Sequence, residues 1–185
     1  SVYFTKYSRL QKIADTNHAI QLSQQIRRIT KPKNLLNLAI EYCDLLHDRH
    51  VLSILTELKL LRAISIQQNS NLTNQCLLYL AIHAGERLEI TICDIQDLAS
   101  PDTEYCLRLF CKECVNLKYL SIECESGWLC VGNEASIIIL GCPQLKTLVC
   151  GRIGKSSRTF IRMLRPDLQL LTYDDRDMRV IFNMK

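Results

Sequence analysis

Cys114-Val115-Asn116-Leu117-Lys118-Tyr119-Leu120-Ser121-Ile122 is followed 28 residues on by Cys142-Pro143-Gln144-Leu145-Lys146-Thr147-Leu148-Val149-Cys150. Both stretches read Cys-x-x-Leu-Lys-x-Leu-x-(Ile/Cys), so the chain contains a repeat. A fixed period of 20 to 50 residues identifies a unit that cannot bury its own apolar faces and must stack on its neighbours. The repeat therefore decides the architecture before any other feature is considered.

Working outward, the Leu-x-x-Leu-x-(Ile/Leu) pattern gives seven starts, at Leu10, Leu35, Leu61, Arg87, Leu117, Leu145 and Leu168. The steps between them are 25, 26, 26, 30, 28 and 23 residues. The copy at Arg87-x-x-Ile90-x-Ile92 is damaged at its first position. Between the strand patterns lie apolar segments with helical spacing, each entered through a turn or capping residue. These are Asp48 before Val51 to Leu58, Thr73 or Asn74 before Leu77 to Gly85, and Ser100-Pro101-Asp102 before Cys106 to Phe110. Asn133 precedes Ile137 to Gly141, and Ser156 or Ser157 precedes Phe160 to Leu164, stopped by Pro166. The predicted fold is α/β: a curved parallel sheet of six or seven short strands, with helices on the convex side. One domain spans residues 1–185, with residues 1–9 as an N-terminal cap and 176–185 as a C-terminal cap. The chain starts at Ser1 without an initiator Met and is read as a fragment of a longer protein.

Composition narrows the function classes. With 185 residues and 48% hydrophobic content, the chain is able to bury a sizeable core. A formal net charge of +4 is too small by itself to imply nucleic acid. Its distribution is uneven: residues 1–34 carry seven bases against one acid, residues 86–134 ten acids against four bases, and residues 146–166 six bases and no acid. No apolar run has the length of a membrane span, and nothing resembles a signal peptide. Most of the ten cysteines fall inside or beside apolar runs, where free cysteine behaves as a small buried hydrophobe. That pattern points to a reducing compartment, cytoplasmic or nuclear.

The candidate chemical motifs are each incomplete. Cys111-Lys112-Glu113-Cys114 has zinc spacing but lacks the second pair of a structural site, so no metal is expected. Gly151-Arg152-Ile153-Gly154-Lys155-Ser156-Ser157 stands where a phosphate loop would, yet Val149 occupies the place of its first glycine. No cofactor is expected. His18, His47, His50 and His83 stand apart without a recurrent carboxylate or serine partner, and no enzymatic activity is expected. Lys155, Arg158, Arg162 and Arg165 share one side of a helix, as a solvated face or an anion-binding one. Few aromatics accompany them, which disfavours RNA, although a basic surface of that kind would bind it in a salt-dependent way.

The best candidate surface is the concave face of the sheet, because alternate strand residues point away from the core. A floor of small residues (Ala14, Ala39, Ser65, Thr91, Ser121, Val149, Thr172) is bordered by larger and mostly acidic ones. The expected partner-binding residues are Glu41, Tyr42, Gln67, Gln68, Asp94, Tyr119, Glu123, Arg152 and Asp174, with Trp128 from the longest loop. Such a surface suits a protein or peptide ligand carrying Lys or Arg.

The units resemble leucine-rich repeats, and their Cys-x-x-Leu entries are similar to the cysteine-containing subtype of F-box/leucine-rich-repeat proteins. Cys114, Cys142 and, at the asparagine-like turn position, Cys43 fit that pattern, with Asn69 at the turn of the next unit. The resemblance implies a solenoid of roughly residues 8–175 and a protein-interaction role, as the substrate-recognition part of an F-box-type ubiquitin-ligase receptor. No F-box is visible in this sequence, so a Skp-type adaptor is expected only if one lies upstream. The alternatives are a scaffold or assembly factor without ligase function, and an RNA-binding module using the basic ends.

Overall fold

A computed structural model describes residue 24 and residues 34–41, 43–96, 98, 100–123, 133–149 and 155–171. Six strands are described: β1 Asn37–Glu41, β2 Ala63–Gln67, β3 Ile90–Asp94, β4 Tyr119–Glu123, β5 Thr147–Val149 and β6 Gln169–Leu171. Five helices of nine residues or more alternate with them: α1 Asp48–Glu57, α2 Gln75–Ala84, α3 Thr103–Glu113, α4 Asn133–Gly141 and α5 Lys155–Leu164. The strands form one parallel sheet in the order β1-β2-β3-β4-β5-β6, so spatial order equals chain order. A doubly wound sheet reverses its order at a switch point; this one does not. The predicted strand at Leu10 and the two predicted caps lie outside the described residues.

The core lies between the sheet and the helices. Leu38, Ile64, Leu120 and Leu148 occupy one register row and share a buried cluster with Ile54, Leu80, Phe110, Ile138 and Ile161 from the helices. Complete burial of each such side chain contributes about 1.5–3 kcal/mol relative to exposure. Counted back from the strand-opening leucine, positions ten, seven, six and three form the buried helix stripe. They are Val51, Ile54, Leu55 and Leu58 before Leu61, and Leu107, Phe110, Cys111 and Cys114 before Leu117. Before Leu145 they are Ala135, Ile138, Ile139 and Cys142. This is the i, i+3, i+4, i+7 spacing of one helix face.

The third described unit corrects the sequence reading. Ile90 pairs with Ala63 and Tyr119, which places Leu88, not Arg87, level with Leu61 and Leu117. Leu88 is buried, Thr91 points into the core, and Ile92 lies on the opposite face, since a one-residue slip exchanges the two faces of a strand. The cause is local. The α2 stripe (Leu77, Ala81, Ala84) keeps the phase counted from position 87, but the 3-10 turn Gly85–Arg87 inserts one residue before the strand.

Successive units are stitched at both ends of the strands. Before them, Arg62 Nη1 and Lys118 Nζ both donate to the Glu89 carboxylate, at 3.2 and 2.6 Å. After them, the Cys43 N–H donates to Asn69 Oδ1 at 3.1 Å, and Asn69 Nδ2 donates to the Gln67 carbonyl at 2.8 Å. Cys43 and Asn69 thus do occupy the same turn in consecutive units. Asp48 is the first residue of α1, not its cap; its carboxylate accepts from the Thr73 N–H at 3.1 Å and the Thr73 hydroxyl at 2.8 Å, fixing the entry to α2. The helix predicted from Ser100-Pro101-Asp102 begins at Thr103, and the Thr103 N–H donates to the Ser100 carbonyl at 3.0 Å.

Candidate functional site

The sheet face away from the helices consists of three register rows. The first is Asn37, Ala63, Ile90, Tyr119, Thr147 and Gln169, and the second Ala39, Ser65, Ile92, Ser121, Val149 and Leu171. At the C-terminal ends of the strands the third row is Glu41, Gln67, Asp94 and Glu123. Adjacent strands lie about 4.8 Å apart, so this last row brings three carboxylates along one line.

The middle of that face is not a solvated floor. Ser65, Ile92, Ser121 and Val149 have no exposed surface, and Tyr119 is 3% exposed. Ile92, Tyr119 and Val149 form a second, smaller apolar cluster, against which Ile90 and Leu171 pack. Thr91, assigned by the sequence to this floor, lies in the main core, and Ile92 takes its place. Gln67 is 8% exposed. The reachable part of the predicted surface is therefore the rim at Glu41 and Glu123, which are half-buried, and Gln68, which is exposed, whereas Asp94 Oδ1 is buried.

Rim geometry is held by the chain itself. Gln68 has φ 54°, the left-handed region that a residue other than glycine seldom adopts. Its N–H donates to the Asp94 carboxylate of the next unit, which holds the strained turn in place. Asn69, on the other side, accepts from Cys43. The turn after β2 is thereby anchored to both neighbouring units, and backbone outliers retained in this way cluster at recognition sites. Ala14, Tyr42, Trp128, Arg152, Thr172 and Asp174 lie outside the described residues.

The basic helix is divided by the structure. Arg158 and Arg162 are exposed on α5. Arg165 is turned inward: Nη1 donates to the Ile139 and Cys142 carbonyls at 3.5 and 3.4 Å, and Nη2 to the Leu145 carbonyl at 2.7 Å. It also pairs with Asp167 at 3.0 Å. Arg165 thus closes the C-terminal end of α4, where cations are favoured. Arg87 does the same for α1, donating to the Leu55 and Leu58 carbonyls at 3.3 and 3.4 Å. Sequence reasoning missed both capping roles, since nothing local distinguishes a capping arginine from a solvated one. For Lys155 only its place at the start of α5 is described.

The described cysteines are core residues. All seven in the described residues are free and buried. Burial pushes the Cys76, Cys93 and Cys114 thiols well above the usual thiol range, and a hydrogen bond with Cys142, together with burial, does the same for Cys111. Neutral thiols of this kind neither attack nor ligate. Among the described residues no group of three or more His, Cys, Asp or Glu is placed to hold a metal ion. His47 and His50 adjoin at the start of α1, where the His47 N–H donates to His50 Nδ1 at 3.1 Å, and His83 lies near the end of α2. The Gly151 to Gly154 loop lies outside the described residues, and so does His18. A groove of about 630 Å³ runs between α3 and α4 over Cys111, Ile137 and Gly141, with Arg108, Lys112 and Leu140 at its edges.

No protein-family model matches this sequence, and no curated protein matches it. The described residues contain no helix long and apolar enough to cross a membrane.

Proposed function

We propose that the chain is a protein-interaction module of the leucine-rich-repeat type, and that it supplies the substrate-recognition part of an F-box-type ubiquitin-ligase receptor. The observation that carries the interaction reading is the pair of half-buried carboxylates Glu41 and Glu123 in one row of strand ends, beside the turn at Gln68 that Asp94 anchors. Carboxylates fixed on rigid strand ends meet a basic segment without first losing conformational freedom, and this preorganisation gives affinity and selectivity. The ligase assignment rests on the resemblance of the Cys-x-x-Leu repeats. The stacked units, the sequential sheet and the shared turn at Cys43 and Asn69 support the repeat type on which that resemblance depends. The partner is a protein or peptide with Lys or Arg facing the rim.

The experiment is purification of the full-length protein from its own cells, with mass spectrometry of what co-elutes. A Skp-type adaptor and a cullin, together with a further protein, are expected. In the Glu41→Arg/Glu123→Arg variant that further protein is lost while adaptor and cullin remain. A single stoichiometric complex without ligase subunits would replace the ligase reading with an assembly-factor role. Full retention of the partner by the rim variant would move the contact away from the strand ends.

A further inference from the structure

The sheet face turned away from the helices is buried, and the sheet alone does not bury it. All five described helices pack into the core on the opposite face. Yet Ile92 and Val149 have no exposed surface, and Tyr119 is 3% exposed. Across the sheet Ile92 stands between Ser65 and Ser121, both too short to reach over it. Side chains on one face of a sheet stand roughly perpendicular to it, so neighbours shield each other's flanks and leave the tips open. Covering the tips takes a further layer, packed about 10 Å from the sheet. The Ser65 and Ser121 hydroxyls, on either side of Ile92, are also buried and make no hydrogen bond among the described residues. Buried hydroxyls are as a rule hydrogen-bonded, so the covering layer has to bring polar atoms as well as apolar ones.

Charge selects the cover. The strand ends beside this face carry Glu41, Asp94 and Glu123 in one row. Outside the described residues, 124–132 hold one acid and no base, 150–154 one base, and 172–185 three acids and three bases. Residues 1–33, described only at Gln24, hold seven bases against one acid. The first twelve of them place Lys6, Arg9 and Lys12 among Val2, Tyr3, Phe4 and Tyr7, with no acid. Reach is ample. β4 lies three strand spacings from β1, about 14 Å, which about five extended residues span, and Lys12 stands 22 residues before Asn34.

We propose that residues 1–12 dock on this face of their own chain, apolar side chains over Ile92, Tyr119 and Val149 and basic ones toward the acidic rim. The concave surface is then already occupied, and a partner bringing Lys or Arg to the rim competes with this segment. The contact shares only the acidic rim with the proposed function and is independent of any adaptor or cullin.

Zero-length carbodiimide cross-linking of the 185-residue chain, in an equal mixture of unlabelled and isotope-labelled protein, tests the contact. The Glu89–Lys118 pair, at 2.6 Å, is the internal control. Links from Lys6 or Lys12 to Glu41 or Glu123 are expected within single copies. Their absence while Glu89 and Lys118 are linked would overturn the proposal, and mixed-isotope links at these sites would assign the face to a second copy instead. Peptide-mapped nitration with tetranitromethane gives an independent reading, with Tyr105, 64% exposed, as its control. Tyr119 is expected to be spared in the parent chain and to react about tenfold faster in Lys6→Glu/Arg9→Glu/Lys12→Glu, whose circular dichroism spectrum should match the parent's. Tyr119 that reacts as readily as Tyr105 in the parent, or stays protected in the variant, would equally sink the assignment. Retained cross-links with no co-eluting partner would count against the proposed function alone.

Discussion

Thr91 sits where other units place Leu38, Ile64 and Leu120, and its hydroxyl is buried with no hydrogen-bond partner among the described residues. An unsatisfied buried hydroxyl is unfavourable, so Thr91→Val is expected to stabilise the fold by about 1 kcal/mol in urea-induced unfolding. Gly141 leads to the opposite expectation. Alanine normally improves a helix, but here its methyl group would lie 2.5 Å from Cys111 Cβ. Separating α3 from α4 to admit it is expected to lower stability by about 1–3 kcal/mol in the same assay. Both residues show where the sequence stopped being readable. A threonine in a strand pattern fits either face, and spacing alone placed it on the wrong one. The single residue inserted by the Gly85–Arg87 turn leaves the helix phase intact and moves only the strand. By contrast, Cys114 and Cys142, legible as repeat positions, are fully buried as free thiols.

Among the elements, the strand entries are joined by the Glu89 carboxylate, which is held below its usual range by its hydrogen bond to Lys118, against the opposing effect of burial and with further help from Arg62. A depressed carboxyl pKa stabilises the fold above the unfolded value near 4.5, and that contribution disappears as pH falls through the lower folded value. Glu89→Gln is therefore expected to lose about 0.5 kcal/mol at neutral pH, as suits an exposed pair, and to match the parent once both carboxyls are protonated. A stability profile between neutral and strongly acidic pH checks this. The helix ends offer a stronger test. Arg87→Met keeps the apolar stem but removes the donor to the Leu55 and Leu58 carbonyls, and is expected to destabilise by about 1–3 kcal/mol. Such caps escape the sequence because they join residues about thirty positions apart, whereas periodicity records only neighbours along one element. Helix starts were more legible: α2 and α5 begin within two residues of the predicted caps.

At the level of the whole molecule, the seven described cysteines are dispersed through one continuous core, so their reactivity reports on the entire array. Peptide-mapped alkylation with iodoacetamide is expected to leave Cys76, Cys93, Cys111 and Cys114 unmodified under native conditions, and to label them together in denaturant. The strand order and the parallel sheet follow from the repeat alone, and they were legible from the two copies at Cys114 and Cys142. The candidate site was legible only in part. Side-chain alternation assigns residues to a face but cannot tell whether that face meets water, and Tyr119, Gln67 and the Asp94 Oδ1 proved buried while Glu41, Gln68 and Glu123 form an accessible rim.

Because strand order follows chain order, the axis of the array runs across the strands, along the direction of the ladder hydrogen bonds. Tension applied between β1 and β6 would therefore load those bonds head-on, one interface at a time. The molecule would yield like a zip, not in a single shear failure. A sawtooth of small, roughly equal force peaks would follow, each releasing the contour length of one unit.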